Sequence, residues 1–267
     1  MKSLNGRDLA SYIKQRQVHD VRSLAQSVGV TPKLAIVVCK EDPVIQTYMR
    51  LKKRYGADLG VDVDVHDIPQ AEAPDLIKSL NSDTTVHGII VQLPLENPDQ
   101  TDEIINLVDP AKDVDALGTK ASFEPATPMA IMWLLAGYNV DLRDKHILLI
   151  GRGKLVGAPL EKILKSSGLD VEVVGRNTDE LADKTIKADV IITATGSPAI
   201  LYPAMIKEGA VVVDAGVASE GGKTVGDLDP SVYERDDLTV TPAKGGVGPL
   251  TVSALFENVI RAARQNA

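Results

Sequence analysis

Seven short runs of apolar, mostly β-branched residues punctuate this chain: "KLAIVVC" (33–39), "VDVDVHDI" (61–68), "HGIIVQLP" (87–94), "HILLIG" (146–151), "VEVVG" (171–175), "DVIITATG" (189–196) and "AVVVDAG" (210–216). Continuous runs of this kind suit strands buried on both faces. Between them lie amphipathic stretches, among them "DLASYIKQRQVHDVRSLAQSV", "PVIQTYMRLKKRYGADLG", "APDLIKSLNS", "LVGAPLEKILKSSG" and "LADKTIKA". Strand and helix alternate, which predicts an α/β fold with parallel sheet.

At 267 residues the chain exceeds the usual domain size of roughly 100–150 residues, so two domains are expected. The stretch "DVDALGTKASFEPATP" (113–128) has little periodicity and carries Pro125 and Pro128, as a connector would. The expected division is residues 1–122 with 249–267 in one domain and 123–248 in the other. The final amphipathic stretch, "GPLTVSALFENVIRAARQ", is expected to pack back on the first domain.

Composition narrows the function classes. A net charge of −8 argues against nucleic acid, whose phosphates demand a basic footprint. With 3% aromatic residues, base-stacking platforms are not expected either. One cysteine, Cys39, fits a reducing compartment, and a cytoplasmic location is expected. The N-terminal stretch has no apolar segment of the signal-peptide kind, and no run approaches the ~20 apolar residues of a membrane span. His19, His66, His87 and His146 lack metal-ligand spacing, and no metal is expected.

"HILLIGRGKLVGAP" reads as strand, glycine turn and helix. Gly151, Gly153 and Gly157 form G-x-G-x-x-x-G, one residue longer than the usual dinucleotide fingerprint. Glycines here let backbone approach a pyrophosphate, and a helix N-terminus offers free N–H groups and a positive dipole end. The plain alternative is a turn whose glycines serve packing. About 20 residues on, an NAD site carries Asp or Glu for the ribose 2′-hydroxyl. This chain has Arg176 there, with Arg152 in the first turn. Guanidinium suits a 2′-phosphate, which points to NADP. Thr195, Gly196 and Gly216 end later strands at the carboxyl edge, where open α/β sheets bind ligands. The cofactor candidates are thus Gly151, Arg152, Gly153, Val156, Gly157, Arg176, Thr195, Gly196 and Gly216.

Three polar features stand in the first domain. "YMRLK" puts Tyr48 and Lys52 on one helix face. "VQLPL" puts Gln92 at a strand end, and "KDVDAL" offers Asp113 and Asp115. A lysine in a cleft beside a neutral amide could have a lowered pKa and act as base or proton shuttle. Each residue also has a plain reading: Lys52 as solvated surface, Gln92 as a strand cap, Asp115 as a turn former.

Taken in order, "YMRLK … VQLPL … KDVDAL … PATP … GRGKLVGAP … ATGSP … VVVDAG … GDLD … TPAKGGVGPLT" resembles the bifunctional methylenetetrahydrofolate dehydrogenase/methenyltetrahydrofolate cyclohydrolase family, over nearly the whole chain. The resemblance implies an α/β homodimer of two-domain subunits. Each has an N-terminal folate-binding catalytic domain, a Rossmann-type NADP-binding domain and a folate cleft between them. It implies oxidation of 5,10-methylenetetrahydrofolate by NADP, then hydrolysis of the methenyl product to 10-formyltetrahydrofolate. Lys52 matches the catalytic lysine, Tyr48 the tyrosine beside it, Gln92 the glutamine that tunes the lysine, and Asp115 the aspartate that binds the pterin. Gly245, Gly246 and Pro249 match the family's glycine loop, which would lie beside nicotinamide and pterin.

The chain also departs from the pattern. Ile45 replaces a serine, Ala116 the glycine of D-V-D-G, Gly153 the serine of G-R-S, and Lys244 a proline; the second strand ends "VGR" rather than C-H-S or C-H-R. A dehydrogenase-only relative using NAD is the alternative reading, against which intact Lys52 and Gln92 speak. A non-catalytic nucleotide-sensing module is a third.

Overall fold

The computed structural model describes residues 1–220 and 223–265. The chain forms two compact units, Met1–Ser11 with Thr127–Thr251, and Tyr12–Ala126 with Val252–Ala267.

The Tyr12–Ala126 unit is built on a three-stranded sheet. Lys33–Val38 lies at its centre between Asp62–Asp67 and Gly88–Gln92, with both pairings parallel. The central strand is buried almost throughout, as its unbroken apolar run predicts. "VDVDVHD" differs: as an edge strand it alternates between exposed and half-buried residues from Asp62 to Val65. A parallel bridge between Ile89 and Asp113 extends the far side of the sheet.

The helix Pro43–Leu59 follows the central strand. It begins cleanly because Asp42 accepts from the amides of Val44 and Ile45 and Pro43 occupies the first turn; Gly60, at φ 82°, closes it. Such a cap contributes ~1 kcal/mol. Ile45, Met49, Gly56 and Leu59 form its buried face, and Lys52 falls on the same face by helical spacing. A Cβ at Gly56 would lie 2.4 Å from Val63 Cγ2, so glycine allows the helix to approach the edge strand. The helix Val247–Gln265 ends in this unit, where Asn258 and Phe256 are fully buried.

The other unit has a six-stranded sheet in the order Lys2–Ser3, Thr239–Val240, Val211–Asp214, Val190–Thr193, Ile147–Ile150, Val171–Val174. Every pairing is parallel. All seven runs singled out in the sequence are strands. The chain order reverses across Ile147–Ile150, which lies between its two successors. That is the topological switch point, where doubly wound sheets take dinucleotides.

The units change over at residues 11/12, 126/127 and 251/252, where the expected division has 122/123 and 248/249. Met1–Ser11 packs with Thr127–Thr251 because Lys2 and Ser3 pair with Thr239 and Val240. A two-residue strand carries no periodic signal, so nothing in the local sequence places it there. Among the described residues, no helix is long and apolar enough to cross a membrane.

Candidate functional site

In the Tyr12–Ala126 unit, Lys52 Nζ donates to Gln92 Oε1 at 2.8 Å. Gln92 closes its strand, and its Nε2 donates to the Leu93 carbonyl at 2.8 Å. The amide is therefore held at both ends, with its oxygen turned to the lysine. Burial lowers the Lys52 pKa, and the nearby Asp115 carboxylate acts in the opposite sense. Burial raises the Asp115 pKa, and Lys52 opposes that rise. Three of the four expected residues thus interact. Tyr48, one helical turn before Lys52, is 41% exposed.

Spacing alone does not separate Asp113 from Asp115. The structure gives them different surroundings. Asp113 is buried, and its carboxylate accepts from the Gly118 amide at 2.7 Å and more weakly from Leu117 at 3.4 Å. It shapes the loop. Lys112 Nζ caps the C-terminal end of helix Ala73–Ser82 by donating to the carbonyls of Leu80, Asn81 and Asp83. Asn258 Nδ2 donates to the carbonyls of Val114 and Glu124, each at 2.9 Å. The loop that carries Asp115 is therefore fastened on both sides. Ala116, beside Asp115, adopts φ 55°, a region glycine enters freely and alanine does not.

In the other unit, the cofactor candidates collect at the carboxyl edge of the sheet. Gly151 has φ 117°, and a Cβ there would meet the Ala194 carbonyl oxygen at 2.4 Å. A Cβ at Gly157 would meet the Gly151 oxygen at 2.2 Å, so the helix Gly157–Ser166 packs directly on the turn. Val156 is the cap residue of that helix. Gly153 is different: a Cβ there would meet nothing within 4 Å. The turn and helix start fit a pyrophosphate. Arg152 Nη2 donates to the Val173 carbonyl at 2.6 Å, and Arg176 Nη1 to Ser197 Oγ at 3.0 Å. Among the described residues neither guanidinium has a carboxylate within ion-pair range, although Arg152 acts on Glu161 at longer range.

Two aspartates that the sequence reading did not single out organise the neighbouring loops. Asp227 is fully buried and accepts from the Thr195 amide at 2.8 Å and the Ser197 amide at 3.0 Å. Asp214 accepts from the amides of Gly216 (2.9 Å), Asp227 (3.1 Å) and Leu228 (3.2 Å). Gly216 and Gly226 are glycines because a Cβ at either would strike these carboxylates, in each case at 2.0 Å. The repeated Asp in "VVVDAG" and "GDLD" was the available signal.

The glycine loop has a backbone rationale too. Gly245 has φ 90°, and a Cβ at Gly6 would lie 1.8 Å from the Gly246 oxygen. Arg7 N donates to the Gly245 carbonyl at 3.2 Å. A Cβ at Gly246 would press on Thr241 Cβ at 3.0 Å. Pro249 stands in the first turn of the last helix. Among the described residues, no group of three or more His, Cys, Asp or Glu side chains could hold a metal ion.

Comparison with known proteins gives concordant matches. The family described as "Tetrahydrofolate dehydrogenase/cyclohydrolase, catalytic domain" matches residues 4–115, and the "NAD(P)-binding domain" of the same family matches residues 125–267. A curated relative, the bifunctional protein FolD of Nitratiruptor, is 34% identical over 99% of both chains. The crystal structure of the bifunctional FolD enzyme from Campylobacter jejuni superposes with a TM-score of 0.92 at 35% identity, covering 100% of both chains. The Trypanosoma brucei FolD, solved with NADP and an inhibitor, gives a TM-score of 0.92 at 28% identity, covering 98% of this chain and 97% of that one. With two family domains matched in order and relatives aligned from end to end, this chain belongs to the tetrahydrofolate dehydrogenase/cyclohydrolase family.

Proposed function

We propose that the protein oxidises 5,10-methylenetetrahydrofolate to the methenyl form with NADP and hydrolyses that product to 10-formyltetrahydrofolate. The observation that carries this reading is the Lys52–Gln92 hydrogen bond, 2.8 Å long, in a chain of this family. Folate is assigned to the Tyr12–Ala126 unit and the dinucleotide to the Thr127–Thr251 unit.

Carbon at the methenyl level is already electrophilic, so hydrolysis needs proton handling more than a protein nucleophile. Burial favours the neutral amine of Lys52. Of that amine's hydrogens, one is engaged by Gln92 Oε1. The lone pair is then available to take a proton from attacking water. The Leu93 carbonyl keeps Gln92 from turning its NH2 group toward the lysine. Asp115 supplies a carboxylate acceptor for ring N–H donors of the pterin, and Tyr48 an exposed phenol on the same helix. We assign Gly245, Gly246 and Pro249 to the substrate loop. NADP, when bound, accepts the hydride; Gly151, Gly153, Val156, Gly157, Thr195, Gly196 and Gly216 would line its backbone contacts. Arg152 and Arg176 would hold the 2′-phosphate, because a guanidinium pairs with phosphate in bidentate fashion.

The reading includes a cytoplasmic homodimer acting on tetrahydrofolate one-carbon derivatives, with neither nucleic acid nor membrane as partner. A net charge of −8 and a single, buried cysteine support it. The test is the initial rate of nucleotide reduction with 5,10-methylenetetrahydrofolate, run with NADP and NAD in parallel. A faster reaction with NADP is expected, and no reduction of either would refute the reading.

A further inference from the structure

Arg176 and Ser197 follow different strands. Arg176 comes after Val171–Val174 and Ser197 after Val190–Thr193. Those strands flank Ile147–Ile150 on its two sides, about 10 Å apart at ordinary strand spacing. The hydrogen bond from Arg176 Nη1 to Ser197 Oγ, 3.0 Å, therefore spans the carboxyl end of the central strand, from which the Gly151 turn departs.

The two ends of this bridge differ in rigidity. Ser197 is anchored: its amide donates to Asp227 Oδ1 at 3.0 Å and to Thr195 Oγ1 at 3.0 Å, and the Thr195 amide donates to Asp227 Oδ2 at 2.8 Å. Asp227 is fully buried, and its own amide is tied to Asp214 at 3.1 Å. Arg176 is exposed, on a stem with many rotamers. An exposed arginine that must be ordered by its ligand gives up side-chain entropy on binding. Hydrogen-bonded to a fixed hydroxyl, it has given up part of that freedom beforehand. Only a ligand with an anionic group at the adenosine ribose would benefit, which separates NADP from NAD.

We propose that Ser197 is a positioning residue that sets the preference for NADP over NAD by orienting Arg176 for the 2′-phosphate. The inference rests on the reading of Arg176 as a 2′-phosphate ligand. The experiment is calorimetric titration of the full-length protein with NADP and with NAD, in the absence of folate. Ser197→Ala should reduce the ratio of NADP to NAD affinity about fivefold, the worth of one modest hydrogen bond. Ser197→Thr, which keeps the hydroxyl, should restore it. In an Arg176→Ala background, Ser197→Ala should add nothing, because the serine acts only through the arginine. If Arg176→Ala narrows the ratio and Ser197→Ala does not, the inference is overturned and the arginine reading stands. Additive effects of the two substitutions would overturn it equally. If Arg176→Ala leaves the ratio unchanged, both fall together.

Discussion

The Lys52 amine and the Gln92 side-chain oxygen are 2.8 Å apart, and the nitrogen of that same amide is bonded to the Leu93 carbonyl at 2.8 Å. This arrangement ties the protonation of one residue to the identity of the other. With a neutral amide as partner, burial dominates and the lysine pKa falls. Replacing the amide by a carboxylate reverses the balance, because an adjacent anion favours the ammonium. Gln92→Glu should therefore move the rising limb of the pH profile for methenyltetrahydrofolate hydrolysis to higher pH. The sign follows from linkage: a raised pKa leaves less neutral amine at any given pH. An unmoved profile would mean that Lys52 is not the titrating base.

Ala116 stands in the left-handed region, with φ 55°, which glycine enters freely and alanine does not. That conformation costs a residue with a Cβ ~1–2 kcal/mol, and the greater freedom of unfolded glycine offsets about 0.5–1 kcal/mol of any gain. Ala116→Gly should stabilise the protein by about 0.5–1 kcal/mol. Denaturant midpoints with and without the substitution measure it; a lower midpoint for the glycine variant would contradict the argument.

Two glycines of the cofactor turn should answer differently to the same change. A Cβ at Gly157 would meet the Gly151 oxygen at 2.2 Å, whereas one at Gly153 meets nothing within 4 Å. An overpacked contact costs about 1–3 kcal/mol. Gly157→Ala should weaken NADP binding about tenfold, which corresponds to ~1.4 kcal/mol. Gly153→Ser should bind NADP at least as tightly as the parent, since it adds a hydroxyl in open space. Titration of both variants with NADP checks this, and equal losses would count against the turn as the pyrophosphate site.

Asn258 reaches the Asp115 loop from the last helix, with its Nδ2 on the carbonyls of Val114 and Glu124 and its Oδ1 buried without a partner. Asn258→Leu would leave two carbonyls unsatisfied, at ~1–3 kcal/mol for each buried group. The expected result is a loss of about 2 kcal/mol in stability together with a higher KM for folate. A stability loss with KM unchanged would show that the fastening does not reach Asp115.

The fold was legible because the buried strands are written as unbroken apolar runs, such as "KLAIVVC" and "DVIITATG". Where the environment changes, so does the pattern: "VDVDVHD" alternates because its strand is an edge. Lys2–Ser3 was illegible because its place depends on Thr239–Val240, a pairing more than two hundred residues away in sequence. The same contrast holds at the site. Lys52 and Gln92 were visible as residue types at a helix face and a strand end. The separate tasks of Asp113 and Asp115 were not, since both are carboxylates in one short segment and only the loop closure onto Gly118 tells them apart. Asp227 acts on Thr195 and Ser197, contacts that exist only once the sheet has formed. For Gly245 and Gly246, the resemblance implied a place beside nicotinamide and pterin. The backbone adds a conformational need at Gly245 and a close approach to Gly6.

The most direct measurement is the rate of methenyltetrahydrofolate hydrolysis by Lys52→Met without nucleotide, alongside the dissociation constant of the same variant for NADP. Removing a positioned proton-transfer group should slow hydrolysis by about 10²-fold or more. NADP binding should be retained, because the glycine turn and both arginines lie in the other unit. Hydrolysis by the methionine variant at the parent rate would contradict the account.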